Sequence, residues 1–399
     1  MTIQHALMGD YRVLDLSTNM GALCGKSLGE LGMEVIKVEP PKGDPSRKEP
    51  PFASQGKEPE NSLRFLYLNA GKRGITLDLS CPQGRDIFLD LVEYCDVVLE
   101  NYPPGYLESI GLDYPALCQR QSKLVLASIS PFGQRGPYSN YLGPDLITTA
   151  MGGLLYISGT PDLPPCMPPE TQSHYYGSLC AAYGVMLGLW QRETKGVGTH
   201  VDTSIQAGLA LHEHVAFTYS LEGTIRKRAG SQHHHVAPAN LFPCQDGYIS
   251  IFATQQHWPA LLEVWEDHPV ELDDPRWMDN SERRNQADWI NKTLSRFTSQ
   301  HNKEDLTLIL QKRGIPALPV NSPSEFMEDP HVQHRQFFTQ ATHPQIGSYQ
   351  QMGAPFKING ERPKSTPAPL LGEHNLEIYC DQQKLHPEDL KTLTSQGVI

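Results

Sequence analysis

Four polar residues stand at the start of a long apolar helix and are the strongest candidates for chemistry in this sequence. They are Glu170, Gln172, Ser173 and His174. The N-terminus of a helix carries free N–H groups and partial positive charge, so it favours an anionic ligand or a carboxylate nucleophile. We therefore expect the residue at position 174 to decide which reaction this segment supports.

The helix that must hold these side chains is rich in small residues, which allow close packing against another element. These small residues are Gly177, Ala181, Ala182, Gly184 and Gly188. The helix is predicted to end in a glycine-spaced turn, and a short strand, His200–Asp202, follows. Close packing along this helix would hold the polar residues at its start in place.

The N-terminal part of the sequence predicts a parallel sheet. A short apolar run at Tyr11–Leu16 is followed by a helical pattern at Ala22–Leu31 and a second strand at Glu34–Val38. This βαβ order with short loops predicts a doubly wound α/β domain. The turn after the first strand lacks GxGxxG, so a nicotinamide or flavin site is not supported. Further strands are predicted at Gly74–Leu79, Asp96–Glu100 and Leu124–Ser130.

Three loops follow strands of this predicted sheet and are the expected place for a ligand. They are Thr18–Gly21, Asn101–Gly105 and Pro131–Tyr138. In open α/β sheets, ligands bind outside the carboxyl ends of the strands. The sequence therefore predicts a ligand site built from these loops.

The chain is predicted to divide into three segments. Residues 1–223 form the N-terminal part of a large domain, residues 224–321 form a smaller α+β domain, and residues 322–399 return to the large domain and end the chain. The loop Gln232–His235 contains three consecutive histidines, but no acidic or cysteine partner is near it in sequence. We expect a pocket-lining or exposed loop there, and we expect no metal site.

Composition excludes several classes of function. The chain has 399 residues, a formal net charge of −12 and a mean hydropathy of −0.42. The negative charge disfavours a nucleic-acid role, because phosphate binding needs a cationic face. Eight scattered cysteines without a CxxC pair indicate neither a zinc site nor a disulfide framework. No apolar run approaches the roughly 20 residues of a membrane span, and the start lacks signal-peptide features, so we expect a cytoplasmic protein.

Five spaced motifs and a tail occur in order along nearly the whole chain. The motifs are RVLDLS with GxxVIKVEPPxGD at 12–44, LNAGKRGITLDL at 68–79, DVVLENYPPG at 96–105, SISPFGQRGPY at 128–138 and GLWQRETKGVGTHVD at 188–202, and the tail is PLLGEH at 369–374. This set resembles the class III CoA-transferases, the formyl-CoA/carnitine type also called CaiB/BaiF. Each motif is weak alone, and together they are highly specific.

The resemblance implies a Rossmann-like large domain built from both chain ends, a smaller domain between them, and two chains interlocked as rings. It implies that no cofactor is permanently bound and that a coenzyme A thioester is the substrate. In the family, an aspartate at the start of the long helix attacks the donor acyl-CoA. The CoA contacts implied are Thr18, Asn19, Met20, Lys72, Arg73, Leu77, Asn101, Tyr102, Gln134 and Asp145, and the implied substrate loop is Gln232, His233 and His234.

This sequence departs from the family pattern at the catalytic position. The family's aspartate falls on His174. Glu170, four residues upstream, or Asp162, further upstream, could replace it only with a rearranged loop. A histidine that the related racemases use falls on Pro144, so a racemase is not expected. Basic positions that serve the CoA phosphates in the family are uncharged here, although Lys72 and Arg73 remain. The uncharged residues are Pro40, Ser80, Ser109 and Leu142.

These departures predict a subunit that does not itself carry the nucleophile. Two-subunit members of the family, such as the benzylsuccinate CoA-transferase type, pair two similar chains of which one has the aspartate. We expect this chain to work with such a homologous catalytic subunit, moving CoA between a donor such as succinyl-CoA and a carboxylic acid, and to be inactive alone. The alternatives are a self-sufficient transferase that uses Glu170, working as an interlocked homodimer, and a non-catalytic homologue that binds CoA or an acyl group.

Overall fold

The computed structural model describes residues 7–56, 58–211 and 215–399, and the chain forms two compact units. One unit contains the chain up to Leu154 together with Pro168–Thr224 and His331–Ile399. The other contains Leu155–Met167 and Ile225–Pro330. Within the described residues, no helix is long and apolar enough to cross a membrane.

A six-stranded parallel sheet lies at the centre of the first unit, in the order β3-β2-β1-β4-β5-β6. The predicted α/β class is therefore confirmed, and the chain reverses its direction of winding between β1 and β4. The strands are β1 (Arg12–Asp15), β2 (Glu34–Glu39), β3 (Arg73–Thr76), β4 (Val97–Glu100), β5 (Val125–Ser130) and β6 (Thr199–Ser204).

The helices up to residue 222 alternate with these strands or follow them. They are α1 (Ala22–Glu30), α2 (Leu63–Leu68), α3 (Pro82–Val92), α4 (Tyr106–Ser109), α5 (Tyr114–Arg120), α6 (Asp145–Met151), α7 (Leu154–Ile157), α8 (Gln172–Lys195), α9 (Ile205–Ala210) and α10 (Val215–Glu222).

Both faces of the sheet are buried, which explains why its strands are continuous apolar runs. Successive side chains of a strand point to opposite faces. Leu14 and Val98 join a core that includes Phe88 of α3 and the C-terminal residue Ile399. Val13 and Val97, which precede them in sequence, belong instead to the core on the other face, with residues of α1 and α8 such as Val185.

Helix α8 lies very close to the sheet because glycines face its neighbours. A Cβ at Gly184 would lie 2.6 Å from a methyl carbon of Val201, and one at Gly188 would lie 2.9 Å from a methyl carbon of Val125. Real Cβ atoms do not approach so closely, so larger residues would push the helix away. The helix ends at Gly196, whose φ of +70° suits glycine and whose N–H reaches the Arg192 carbonyl.

The second unit has α+β architecture. Its sheet is antiparallel, and its core contains three buried tryptophans, Trp258, Trp265 and Trp277. Its elements are β7 (Ala239–Cys244), β8 (Gly247–Phe252), α11 (Trp258–Val264), α12 (Asn280–Asn285), α13 (Ala287–Thr298), α14 (Lys303–Lys312), β9 (Ala317–Pro319) and α15 (Pro323–Glu328). The chain continues with α16 (Pro330–His334), the hairpin β10 (Phe338–His343) and β11 (Gly347–Met352), and finally a π-helix (Leu376–Gln382) and α17 (Pro387–Ser395).

A fully buried ammonium joins three elements beneath the carboxyl end of β1. The Lys72 Nζ donates to Asp15 Oδ2 at 2.7 Å, to the Ala22 carbonyl at 2.9 Å and to Asn69 Oδ1 at 3.0 Å. All three of its hydrogens are therefore used within the protein. Breaking a buried ion pair from one side leaves an uncompensated charge, which is strongly destabilising.

Replacing Lys72 by Met should lower the free energy of unfolding by about 3–5 kcal/mol, because Asp15 stays buried without its cation. Urea unfolding followed by circular dichroism measures this change. Lys391→Met is the matched control, since the Lys391 side chain is 74% exposed and forms a surface pair with Glu388. A loss for Lys72→Met no larger than that for the control would contradict this account.

Candidate active site

The loops after β1 and β4 meet where the winding of the sheet reverses. The Thr18 backbone N–H donates to Asn101 Oδ1 at 2.8 Å, and Asn101 Nδ2 donates back to Thr18 Oγ1 at 3.0 Å. This reciprocal pair lies at the topological switch point, where open α/β sheets bind their ligands. Two residues predicted to contact CoA are thus joined by direct hydrogen bonds.

The two cationic residues of the LNAGKRG motif, Lys72 and Arg73, form ion pairs with carboxylates of the protein itself. Lys72 uses its three donors in the core, and Arg73 forms ion pairs with Glu34 and Glu377. A phosphate contact from Lys72 would require it to leave all three acceptors, so we do not include Lys72 in the site. Leu77 follows β3 directly, and its side chain is buried.

A buried carboxylic acid stands directly before the loop Asn101–Gly105. Glu100 accepts a hydrogen bond from the Tyr102 N–H at 2.7 Å and pairs in register with Ser128 of β5. Burial raises the pKa of Glu100 to about 7, against the opposing hydrogen bonds from Ser128 and Tyr102. Ser128 also contacts His200 Nε2 at 2.9 Å. Sequence reasoning missed Glu100, although it lies in the ENYPPG motif at a strand end.

The loop after β5 is held by the end of β6. The Gln134 backbone N–H donates to both carboxylate oxygens of Asp202, at 2.9 and 3.1 Å. Its side-chain Nε2 is buried and has no hydrogen-bond partner among the described residues. Gln134 therefore has a free donor on the side of the sheet where the ligand is expected.

The start of helix α8 is held by hydrogen bonds to a residue of helix α6. Its N-cap residue, Thr171, makes no side-chain cap bond. Instead the Asp145 carboxylate, at the first residue of α6, accepts from the Ser173 N–H at 2.9 Å and the Ser173 hydroxyl at 2.6 Å. Thr148 adds a contact of 2.7 Å to the same hydroxyl. A carboxylate suits this position because the helix N-terminus is partially positive.

His174 follows this anchored residue, and its imidazole is unpaired. Both ring nitrogens are buried, and neither has a hydrogen-bond partner in the described structure. Burial lowers the pKa of His174, the Arg64 charge lowers it further, and the Asp145 carboxylate opposes them. At neutral pH the ring is therefore uncharged, with one donor and one acceptor unused.

Arg64 and two glutamates lie beside this helix start. Arg64 Nη2 donates to Glu170 Oε2 at 3.2 Å, and Arg64 Nη1 lies 3.7 Å from Glu49 Oε2. Glu49 in turn accepts from Asn19 Nδ2. Sequence reasoning missed Arg64 and Glu49, because nothing in their spacing links residues that distant along the chain. Met20, next to Asn19, accepts at its carbonyl from Ser178 of α8 at 2.9 Å.

The predicted substrate loop lies in the second unit. The His233 N–H donates to the Ala239 carbonyl at 2.9 Å, and its ring lies edge-on to Phe252. The Gln232 N–H donates to the Ala229 carbonyl, and the ring centroids of His234 and His235 are 6.4 Å apart. Among the described residues, no group of three or more histidine, cysteine, aspartate or glutamate side chains is arranged to hold a metal ion.

Replacing Glu100 by Gln should make the melting temperature of the protein depend less on pH. The folded pKa of about 7 lies above the ordinary value of 4.5, so the folded chain binds this proton more tightly. The resulting stabilisation is complete below about pH 4.5 and is lost as the pH rises through about 7. The melting temperature, measured at intervals from about pH 5 to 8, should fall less for Glu100→Gln than for the native chain. Equal slopes would contradict this assignment.

Comparison with known proteins identifies the family of the chain. The model for CoA-transferase family III matches residues 8–375. The chain is 32% identical to the succinyl-CoA:(R)-benzylsuccinate CoA-transferase subunit BbsE of Thauera aromatica, covering 93% of each, and 33% identical to succinyl-CoA–D-citramalate CoA-transferase of Chloroflexus aurantiacus, covering 98% of each. A CAIB/BAIF family protein from Brucella suis superposes with a TM-score of 0.85 at 29% identity, covering 94% of this chain and 99% of that one. The chain therefore belongs to CoA-transferase family III.

Proposed function

We propose that this chain is the non-catalytic subunit of a CoA-transferase that moves CoA between an acyl-CoA donor, such as succinyl-CoA, and a carboxylic acid. The relatives in the comparison support the reaction class, since both are named as succinyl-CoA transferases and one is named as a subunit. The observation that carries the proposal is His174, a neutral and unpaired imidazole where the family has its aspartate. The cytoplasmic location stays a prediction from the sequence.

The family reaction needs a carboxylate at this position. A carboxylate attacks the thioester carbonyl, forming a mixed anhydride and releasing CoA thiolate. The thiolate then attacks the enzyme's own carboxyl carbon, which frees the donor acid and leaves CoA as an enzyme thioester. Imidazole would form an acyl-imidazole, and thiolate attack on it only regenerates the donor acyl-CoA, because imidazole has no acyl carbon to hold CoA. His174 therefore cannot complete the cycle.

The switch-point loops would hold the CoA thioester. Thr18 and Asn101 already fix the two central loops on each other, and Gln134 has an unused side-chain donor. Asn19 has a buried Oδ1 without a partner in the described structure, which a ligand amide could satisfy. Tyr102 lies in the loop directly after β4. Arg85 is a cation near the loop after β3, because it donates to the Ser80 carbonyl at 2.8 Å.

An exposed apolar stripe on α8 supports assembly with a second chain. Leu179, Tyr183, Leu187 and Trp190 recur at helical spacing, and each is about half exposed or more. Contiguous exposed apolar surface marks an interaction site. We propose that a homologous, aspartate-bearing chain covers this stripe, in the interlocked arrangement that the family resemblance implies.

The alternative of a self-sufficient enzyme depends on Glu170. This carboxylate is exposed, is paired with Arg64 and stands in a left-handed backbone conformation with φ +59°. A nucleophile needs a carboxylate at the position from which it can reach the thioester, whereas Glu170 lies four residues before position 174 and its side chain is 64% exposed to solvent. The second alternative is a homologue that binds CoA without supporting transfer. The loop contacts described above fit this alternative as well as the proposed function.

The proposal is tested by purifying the chain alone and with a homologous subunit that has aspartate at the equivalent position. CoA exchange between succinyl-CoA and an acid acceptor should require both chains. His174→Ala in this chain should leave the activity of the complex within about twofold, since the imidazole forms no enzyme thioester, and replacing the partner's aspartate should abolish it.

Activity of the purified chain alone, lost in Glu170→Gln, would overturn the proposal in favour of the self-sufficient enzyme. A complex that forms but exchanges no CoA, while the partner alone is active, would favour the binding homologue. Gel filtration of Glu170→Gln provides the control that a loss of activity is not a loss of assembly.

A further inference from the structure

Arg64 is held loosely by its two carboxylates. Its Nη2 reaches Glu170 at 3.2 Å, and its Nη1 is 3.7 Å from Glu49, which is beyond a good hydrogen bond. Arg47 provides a contrast, because it is fully buried and donates to both oxygens of Glu39 at 2.7 and 2.8 Å. Arg47 has the geometry of a structural pair, whereas the Arg64 guanidinium retains accessible donors.

The carboxylate that Arg64 holds most closely is also the one that can leave most easily. The Glu170 side chain is 64% exposed, and its oxygen makes a single contact with the guanidinium. Its φ of +59° is unfavourable for a residue other than glycine. Release of the Glu170 side chain from Arg64 would therefore cost little, because the carboxylate is already largely in contact with solvent.

Arg64 lies beside the start of helix α8, where His174 occupies the position at which the family has its aspartate. It donates to Glu170, which stands four residues before His174, and its charge contributes to lowering the pKa of the His174 ring. Glu49 also accepts a hydrogen bond from Asn19, which lies in the ligand loop after β1. An acyl group whose thioester lies near His174 would therefore have a cation close to it.

We propose that Arg64 binds the free terminal carboxylate of a dicarboxylic acyl group, and that Glu170 is the protein carboxylate which this group displaces. A planar guanidinium binds a carboxylate through two parallel hydrogen bonds, which selects a charged acyl end over a methyl end. This inference rests on the proposed function, since it assumes that the chain binds a CoA thioester at the switch-point loops. What it adds is the residue, Arg64, that would select a dicarboxylic acyl group such as succinyl.

The test compares two unreactive CoA thioethers of matched length, S-carboxypropyl-CoA and S-butyl-CoA, by isothermal titration calorimetry on the assembled complex. Arg64→Ala in this chain should weaken S-carboxypropyl-CoA at this chain's site by roughly 10- to 100-fold, the usual range for a charged hydrogen bond. It should change S-butyl-CoA by less than about twofold. Glu170→Gln should tighten S-carboxypropyl-CoA alone, because the guanidinium is released.

Arg120→Ala is the matched control, since Arg120 is a surface arginine that also pairs with two carboxylates, Asp90 and Glu93. It should change neither affinity. Arg64→Lys should restore part of the discrimination, which a merely structural role for Arg64 would not predict. Circular dichroism and gel filtration confirm that each variant folds and assembles.

The outcomes separate this inference from the proposed function. If neither thioether binds to this chain's site in the native complex, the proposed function itself fails. If both bind and Arg64→Ala leaves them unchanged, or weakens both equally, the function stands and the assignment of Arg64 is wrong. If Glu170→Gln abolishes CoA exchange, Glu170 is a nucleophile and the displacement model is overturned.

Discussion

The hydrogen bonds from Ser173 to Asp145 are the interaction on which the site depends. Helix α8 makes no side-chain cap of its own, so the carboxylate on α6 satisfies its first turn from outside. This arrangement fixes the helix start against a second element and gives position 174 a defined place. Position 174 therefore has a fixed place at the start of α8, directly after the anchored Ser173.

That geometry is combined with a different electrostatic setting. Burial and Arg64 together keep His174 neutral, against the pull of Asp145. A carboxylate at position 174 would meet the same Asp145 as a like charge but would have Arg64 as a counter-charge. Under the proposed function, the site has a cation near position 174 and no carboxylate nucleophile at that position. This combination is consistent with a chain that holds an anionic acyl group and leaves the covalent steps to another subunit.

Much of the fold could be predicted from sequence, because its strands are buried on both faces and need continuous apolar runs. Strands β1, β2, β4 and β5 lie where such runs predict them, and the helices between the strands indicate a parallel sheet. The contact between Arg64 and Glu170 could not be predicted, because 106 residues separate them and neither lies in a motif. The role of Lys72 was equally hidden, since only the folded core shows that its three donors are used.

The central claim is that this chain carries no covalent intermediate, and trapping the enzyme thioester tests it most directly. The assembled complex is mixed with succinyl-CoA and treated with hydroxylamine, which converts an enzyme thioester into a hydroxamate, and the modified peptide is located by mass spectrometry. The account predicts a hydroxamate on the aspartate of the homologous subunit and an unmodified peptide around positions 168–195 of this chain. A hydroxamate on Glu170 would contradict it.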